Sequence, residues 1–425
     1  MPALKEAARD AGNPERSEVR RMPALKGKAI VGQSGGPTAV INASMVGVAE
    51  EVKKHPEIQA LYGTVHGVEG LMKEELIDLS AETAEALQLL KRTPSAALGS
   101  CRHKLKAEDY ERILKILQAH NIRYFFYIGG NDSADTSRKI ELAAKQAGYE
   151  MRVVGIPKTV DNDLAFTDHC PGYGSVARFN AIATRDAGRD TEAIGVVDNV
   201  KIIETMGRNT GWITASTALA KEAPDDAPHL IYLPERPLVV ERFLADVKRV
   251  FDRLGYCVIT VCEGLKDEKG ATLVASQRAV DMDAFGHKQL GGVADFLCDQ
   301  IAANLRIKAR FDKPGTIQRM SMLAVSEVDL AEAYMAGRAA VRHAAEGVTG
   351  QMVTLVREPG PAYKCTTGLA RLEDVANAEK PVPDEFINEE GNFVTEAYLE
   401  YARPLIGGPL PPYGRLTGKR VPERL

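Results

Sequence analysis

Residues 157–163 read Pro-Lys-Thr-Val-Asp-Asn-Asp and follow a mostly apolar run, Met151 to Ile156, rich in Val and Ile. Such a run, apolar without alternation, is the pattern of a strand buried on both faces of a parallel sheet. Pro157 and the two acids stop it, so the segment lies just past a strand's C-terminal edge, where ligands bind in open α/β sheets. A lysine, a threonine hydroxyl and two carboxylates at that edge suit phosphoryl transfer. One acid can take a proton from an attacking hydroxyl, another can hold a metal, and the lysine can offset phosphate charge. The same seven residues also read as a polar turn after a strand.

Two more loops of this type lie upstream. Gly-Gln-Ser-Gly-Gly-Pro-Thr (32–38) follows the apolar run Ala29–Val31 and precedes a helix-like stretch, Val40 to Val52. Gly35 and Gly36 allow close backbone approach to a ligand, and the helix start behind them offers free N–H groups. The loop is neither a Walker A sequence nor Gly-x-Gly-x-x-Gly. Gly-Gly-Asn-Asp-Ser (129–133) follows Tyr124–Ile128 and leads into a helical stretch from about Asp135 to Gln146. Asp132 and Ser133 also read as plain N-cap residues, and the glycine pair as a tight turn.

In chain order these loops are joined by Gly99-Ser100-Cys101-Arg102, Met206-Gly207-Arg208, Pro234-Glu235-Arg236 and Ile317-Gln318-Arg319. The ordered set resembles the phosphofructokinases, and within them the pyrophosphate-dependent 6-phosphofructokinases, from about Lys26 to about Arg319. The resemblance implies an α/β fold of two Rossmann-like lobes with largely parallel sheets and the active site in the cleft between them. It implies reversible phosphoryl transfer from pyrophosphate to the 1-hydroxyl of fructose 6-phosphate, a glycolytic and gluconeogenic step, with Mg²⁺ bridging donor oxygens.

Roles follow residue by residue from the same resemblance. Asp161 matches the general base. Thr159 lies near the transferred phosphoryl, and Asp163 and Asn131 near magnesium. Gly36, Arg102, Gly130, Asp132 and Lys158 match the donor site. Thr159, Val160, Asp161, Met206, Gly207, Arg208, Glu235, Arg310, Thr316 and Arg319 match the sugar-phosphate site, with Glu235 accepting from sugar hydroxyls and the two arginines gripping the 6-phosphate. A guanidinium fork suits a terminal phosphate. Asp132 and Lys158 are expected to join Asp161 and Thr159 in catalysis and to set the donor, because ATP-using relatives carry glycine at both positions. A carboxylate there fills nucleotide space and repels the α-phosphate, and such mismatch is a route to specificity.

Three positions depart from the broader pattern. Asn131 stands where many relatives have a magnesium-binding aspartate. Thr316 replaces a histidine, and Asn199 an arginine that a neighbouring subunit lends to the 6-phosphate. Lys201, two residues along the same strand and so on the same face, is a substitute for that arginine or simply a solvated strand-end lysine. A homodimer or homotetramer is therefore expected. Other readings are an ATP-dependent enzyme, a non-catalytic family member, or a nucleotide-binding oxidoreductase. The last would need a Gly-x-Gly-x-x-Gly loop with an acid about 20 residues on, which no strand here carries.

Composition fits a cytoplasmic metabolic enzyme. The chain has 425 residues, enough for two domains, with 54 basic against 58 acidic side chains and a formal net charge of −4. That balance gives no case for nucleic-acid binding, and no apolar run approaches the roughly 18 residues of a membrane helix. The 6 cysteines form no Cys-x-x-Cys pair and read as reduced thiols. Met1-Pro-Ala-Leu-Lys5 recurs as Met22-Pro-Ala-Leu-Lys26. The first 25 or so residues are expected to be a disordered extension or a short added helix. Residues 26–172 with about 319–400 are expected to form the donor lobe, 173–318 the sugar-phosphate lobe, and 401–425 an extended tail wrapped over the surface or a neighbour. Ala279 to Ile307 reads as largely helical with a break at Gly291-Gly292, and Glu327 to Gly347 as a helix with small residues. His169 and His287 receive no role.

Overall fold

The computed structural model describes residues 25–195, 197–274, 292–376, 378–416 and 418–424. Apart from Leu25, the expected N-terminal extension lies outside these residues, as do His287 and the whole of Ala279–Gly291.

Strands β1 (Gly27–Gln33), β2 (Ile58–Thr64), β3 (Leu76–Asp78), β4 (Ile122–Gly129) and β5 (Arg152–Pro157) belong to one sheet, which β10 (Gln351–Arg357) and β11 (Cys365–Arg371) complete in the order β11-β10-β5-β4-β1-β2-β3. Only the end pairs β10–β11 and β2–β3 run antiparallel. A second sheet, β7-β8-β6-β9, comprises β6 (Val200–Thr205), β7 (Leu230–Tyr232), β8 (Cys257–Cys262) and β9 (Ala309–Asp312), parallel throughout. The helices needed below are α1 (Ile41–Val52), α2 (Ala107–Ala119), α3 (Asn131–Gln146), α4 (Tyr173–Ile194), α5 (Val240–Leu254), α6 (Val293–Leu305), α7 (Ile317–Met320), α8 (Glu327–Ala345) and α9 (Glu396–Ala402).

Period-two alternation explains why β1, β4 and β5 read as continuous apolar runs. Ala29, Val31, Phe126, Ile128, Val154 and Ile156 face α1 and α8, while Ile30, Phe125, Tyr127 and Val153 face α2 and α3. Both faces are covered, so neither set is polar. Each Val, Ile or Phe among them, fully buried, contributes about 1.5–3 kcal/mol. Helices α1 and α8 cross at a mutual glycine contact. A Cβ on Gly47 would lie 2.3 Å from the Tyr334 carbonyl, and one on Gly337 would lie 2.0 Å from the Ser44 carbonyl. That approach fixes α1, and with it the glycine loop at its start.

The second sheet packs against α5 and α6 through Val200, Ile202, Ile259, Phe243, Val247 and Leu297. A separate core joins α4 and Trp212 to Val382, Val394, Tyr398, Leu405 and Leu410. Residues from about 382 onward therefore pack largely against α4, while Arg357 at the end of β10 donates to the Tyr401 carbonyl at 2.9 Å and ties them to the seven-stranded sheet as well. Arg178 donates to the Ile406 carbonyl at 3.0 Å, Arg185 to that of Pro411 at 2.9 Å, and Arg415 pairs with Glu192 at 2.7 Å. The tail so lies along α4. Among the described residues, no helix is long and apolar enough to cross a membrane.

Candidate active site

The C-terminal ends of β1, β4 and β5 meet those of β6 and β8 across a cavity of ≈ 340 Å³. Each strand end delivers its loop. After β1 come Ser34, Gly35 and Gly36; after β4, Gly130, Asn131 and Asp132; after β5, Lys158, Thr159, Asp161 and Asp163. The opposite wall is Met206–Thr210 after β6 and Glu263 after β8.

Three cations converge on the glycine loop. Lys158 donates its ammonium to the Gly36 carbonyl at 2.9 Å. Ser100 Oγ donates to the Gly35 carbonyl at 2.6 Å, and Gly35 N–H to that of Cys101 at 3.2 Å, which brings the neighbouring Arg102 alongside. Ala39 N–H donates to the Arg319 carbonyl at 3.0 Å, and a Cβ on Gly36 would lie 3.0 Å from Arg319 Nη1. Gly36 thus leaves space beside a guanidinium that any larger residue would fill. Arg319 Nε is buried with no hydrogen-bond partner. Burial first, then the Arg319 charge, lowers Lys158 to about 8, against the pull of Asp161 and Asp163.

Opposite these cations stand the carboxylates. Asn162 has φ 54°, a left-handed conformation that asparagine tolerates better than most. Its Oδ1 accepts from Cys170 N–H at 2.9 Å and its Nδ2 donates to the Tyr401 hydroxyl at 2.9 Å. Thr159 Oγ1 accepts from Asp161 N–H at 3.1 Å. This turn puts Asp161 and Asp163 on the same cavity. Burial, then Asp163 and Glu263, raises Asp161 to about 7 despite Lys158 and Arg208. Burial also raises Asp163, opposed by a hydrogen bond from Thr159. Thr210 donates to the Asp161 carbonyl at 3.2 Å, tying the opposite wall to the turn.

Helix α3 begins at Asn131 and not near Asp135, so Asn131 and Asp132 lie in its first turn, facing the cavity. Asn131 Oδ1 is buried without a hydrogen-bond partner. That orphaned oxygen, with the carboxylates of Asp132 and Asp163 on the same wall, is a hard-oxygen set that fits a divalent cation.

A phosphofructokinase family model matches residues 28–344. The chain belongs to the phosphofructokinase family. Among its relatives, the pyrophosphate–fructose 6-phosphate 1-phosphotransferase of Rhodospirillum rubrum is 44% identical, with 94% of this chain and 99% of that protein covered. The enzyme of the same name from Xanthomonas campestris is 42% identical, with 91% and 93% covered. The pyrophosphate-dependent phosphofructokinase structure from Nitrosospira multiformis superposes with a TM-score of 0.83 at 37% identity, covering 94% of this chain and 99% of that one. Phosphofructokinases of this family generally use a divalent metal cation.

Several residues expected in the site do not line this cavity. Glu235 does not line the cavity. Its Oε1 accepts from Gly211 N–H and Val382 N–H, both at 2.9 Å, so it braces the sugar-side loop from behind. Glu263 lines the cavity in its place and accepts from Gly207 N–H at 3.4 Å. Both acids follow strands; the partners of Glu235 come from distant backbone. Arg310 pairs with Asp198 at 3.0 Å and Lys201 with Asp312 at 2.8 Å, on the β6–β9 side and outside the cavity. Thr316 is exposed before α7, and Val160 is buried in the α4 core. Asn199 donates to the Gly195 carbonyl. Arg319 lies beside Gly36 of the glycine loop and, like Glu235, is not among the residues that line the cavity. Sequence reasoning missed Asn209, Thr210, Glu263 and Glu379, which complete the wall. Glu263 had a signal, its position directly after a buried strand; Glu379 had none.

His169, unassigned from sequence, is buried between Asp168, 2.8 Å from Nδ1, and Glu332, 2.7 Å from Nε2. Burial opposes its charge, but the two carboxylates keep its pKa raised. It fastens the segment after the Asp161 turn to α8.

Proposed function

We propose that this phosphofructokinase transfers a phosphoryl group from pyrophosphate to the 1-hydroxyl of fructose 6-phosphate, giving fructose 1,6-bisphosphate and phosphate. The observation that carries this reading is Asp161, raised to about 7 and set between the three cations at Gly35–Gly36 and the Met206–Thr210 wall. The names of full-length relatives support the donor and the sugar.

In this reading the seven-stranded lobe holds the donor and the four-stranded lobe the sugar phosphate. Asp161 takes the proton of the 1-hydroxyl as its oxygen bonds to the near phosphorus. The bond from that phosphorus to the bridging oxygen breaks, and inorganic phosphate leaves. Lys158, Arg102 and Arg319 offset the negative charge spread over the transferred group. Asn131, Asp132 and Asp163 would hold Mg²⁺, which when bound supplies charge neutralisation on donor oxygens. The donor and product phosphates are close in energy, so the reaction runs both ways. Asp132 and Lys158 favour the compact, densely charged pyrophosphate over a nucleotide. Arg310 and Lys201, outside the cavity of their own chain, are assigned to the 6-phosphate of a second copy. A fully active monomer in sedimentation would remove that assignment. The described cysteines are all free, in keeping with a cytoplasmic setting.

The test is fructose 1,6-bisphosphate formation from fructose 6-phosphate and Mg²⁺, with pyrophosphate and ATP in parallel. Product with pyrophosphate alone is expected. Product with ATP alone overturns the donor, and silence with both overturns the reaction. Chelation of divalent metal should stop turnover, and added Mg²⁺ should restore it; a rate indifferent to chelator would sink the metal assignment.

The two shifted groups also set a pH profile. Asp161 must be ionised, so kcat/KM falls as pH drops below about 7. Lys158 must be protonated, so it falls again as pH rises above about 8. The acid limb belongs to the Asp161–Asp163 pair jointly. A narrow bell for the free enzyme is expected, and a flat neutral range would contradict it.

A further inference from the structure

Residues 379–382 lie beyond the family-matched span 28–344, yet they reach both walls of the cleft. Lys380 makes most of the contacts. Its backbone N–H donates to the Asp163 carbonyl at 2.8 Å. Its ammonium donates to the carbonyls of Thr167 at 3.0 Å and Asp168 at 2.8 Å. Its own carbonyl accepts from the Trp212 indole at 2.9 Å, and the ammonium lies 5.3 Å from the centroid of that ring. Asp163 and Thr167–Asp168 belong to the segment that carries the general base. Trp212 follows the loop that begins at Met206. A single side chain and its peptide groups so join the base to the sugar-side wall.

Neighbours repeat the link. Glu379 accepts from Asn209 at 2.6 Å and forms a bridge with Leu164. Val382 N–H shares Glu235 with Gly211. Tyr401, further along, accepts from Asn162 and donates to the Asp168 carbonyl at 2.8 Å. The turn needs such partners, because a non-glycine residue in the left-handed region persists only where its surroundings hold it.

We propose that Lys380 is a positioning residue that fixes the Asp161 carboxylate relative to the sugar-side loop. This rests on the phosphotransferase reading above. Lys380 touches no reacting atom; it acts through the placement of Asp161, and displacing a base by about 1 Å costs up to about 10²-fold in rate.

The test uses the full chain with pyrophosphate, fructose 6-phosphate and Mg²⁺. Lys380→Met removes the ammonium and keeps most of the apolar stem. It should lower kcat by about 10–100-fold while both KM values stay within about threefold. In Asp161→Asn the base is already gone, so adding Lys380→Met should slow the residual rate no further. Arg415→Ala, which frees only tail ion pairs with Glu192 and Asp226, should leave kcat unchanged. If Lys380→Met fails to fold, Tyr401→Phe keeps the ring and removes one hydroxyl; it should show the same split between kcat and KM at smaller size. A folded Lys380→Met, or Tyr401→Phe in its stead, with wild-type kcat overturns the proposal, and so does a loss that multiplies on Asp161→Asn. A wild-type chain silent with these substrates sinks the phosphotransferase reading and the proposal together, whereas an active wild type with an unaffected variant sinks the proposal alone.

Discussion

Asp161→Asn lowers kcat by about 10²–10⁴-fold, the range for loss of a general base, and leaves fructose 6-phosphate binding near wild type. The substitution changes one oxygen to an NH₂ and keeps the shape of the side chain. The backbone of the turn does not depend on that carboxylate. Asp161 N–H is held by Thr159 Oγ1 at 3.1 Å, and its carbonyl accepts from Thr210 at 3.2 Å. Removing the charge also relieves repulsion from Asp163 and Glu263, both of which raise Asp161. The cleft should therefore bind an anionic sugar phosphate at least as well. Turnover with pyrophosphate and calorimetric binding of fructose 6-phosphate to the metal-free protein separate the two effects. A variant with near-normal kcat would disprove the role of Asp161. A variant that binds no sugar phosphate would show that the carboxylate serves the loop rather than the proton.

What the sequence made legible is what one strand and its following loop contain. β4 and β5 are buried on both faces, so their apolar runs declared a parallel sheet, and the loops after them declared a site. Gly36, Lys158, Asp161 and Asp163 lie in loops of that kind, Arg102 came from the family resemblance alone, and all five line the cavity. The start of α3 was misplaced because Asn131 and Asp132 read as loop or cap residues; the chain instead turns helical directly after an extended Gly130. Glu235 and Glu263 looked alike, each an acid just past a strand. Which of them faces the cleft is decided by backbone N–H groups at Gly211 and Val382, and Val382 lies 147 positions from Glu235. Arg319 was assigned to the sugar side; the bond from Ala39 N–H to its carbonyl sets it beside the glycine loop, a placement no local pattern reports. Glu379 and Lys380 carry no motif, and only the packing of the chain's last part against α4 brings them to the base. Local pattern reports the loops; contacts far apart in sequence decide how those loops are held.

Lys158→Gly should reduce pyrophosphate-dependent kcat/KM by about 10²–10³-fold, comparable to removing one preorganised donor at a charge-developing centre. The ammonium is buried and lies against the Gly36 carbonyl at 2.9 Å, with Arg319 close enough to depress its pKa. A cation kept in such company has a cost that an incoming polyanion would relieve. Pyrophosphate has no nucleoside to contribute binding, so loss of a cation falls directly on its charge. Asp132 is the second half of the argument. It lines the same wall, in the first turn of α3, where a carboxylate repels an α-phosphate and occupies nucleotide space. Lys158→Gly alone should therefore lose pyrophosphate activity without gaining ATP activity. Asp132→Gly combined with Lys158→Gly should yield ATP-dependent formation of fructose 1,6-bisphosphate above the wild-type level. Both variants keep Asp161 and the Met206–Thr210 wall, so their KM for fructose 6-phosphate should stay close to wild type. Unchanged pyrophosphate turnover in Lys158→Gly would remove the lysine from donor selection. A double variant as inert toward ATP as the wild type would place the barrier to nucleotides elsewhere in the cleft, and the first suspects would be Arg102 and the loop 99–102 that carries it.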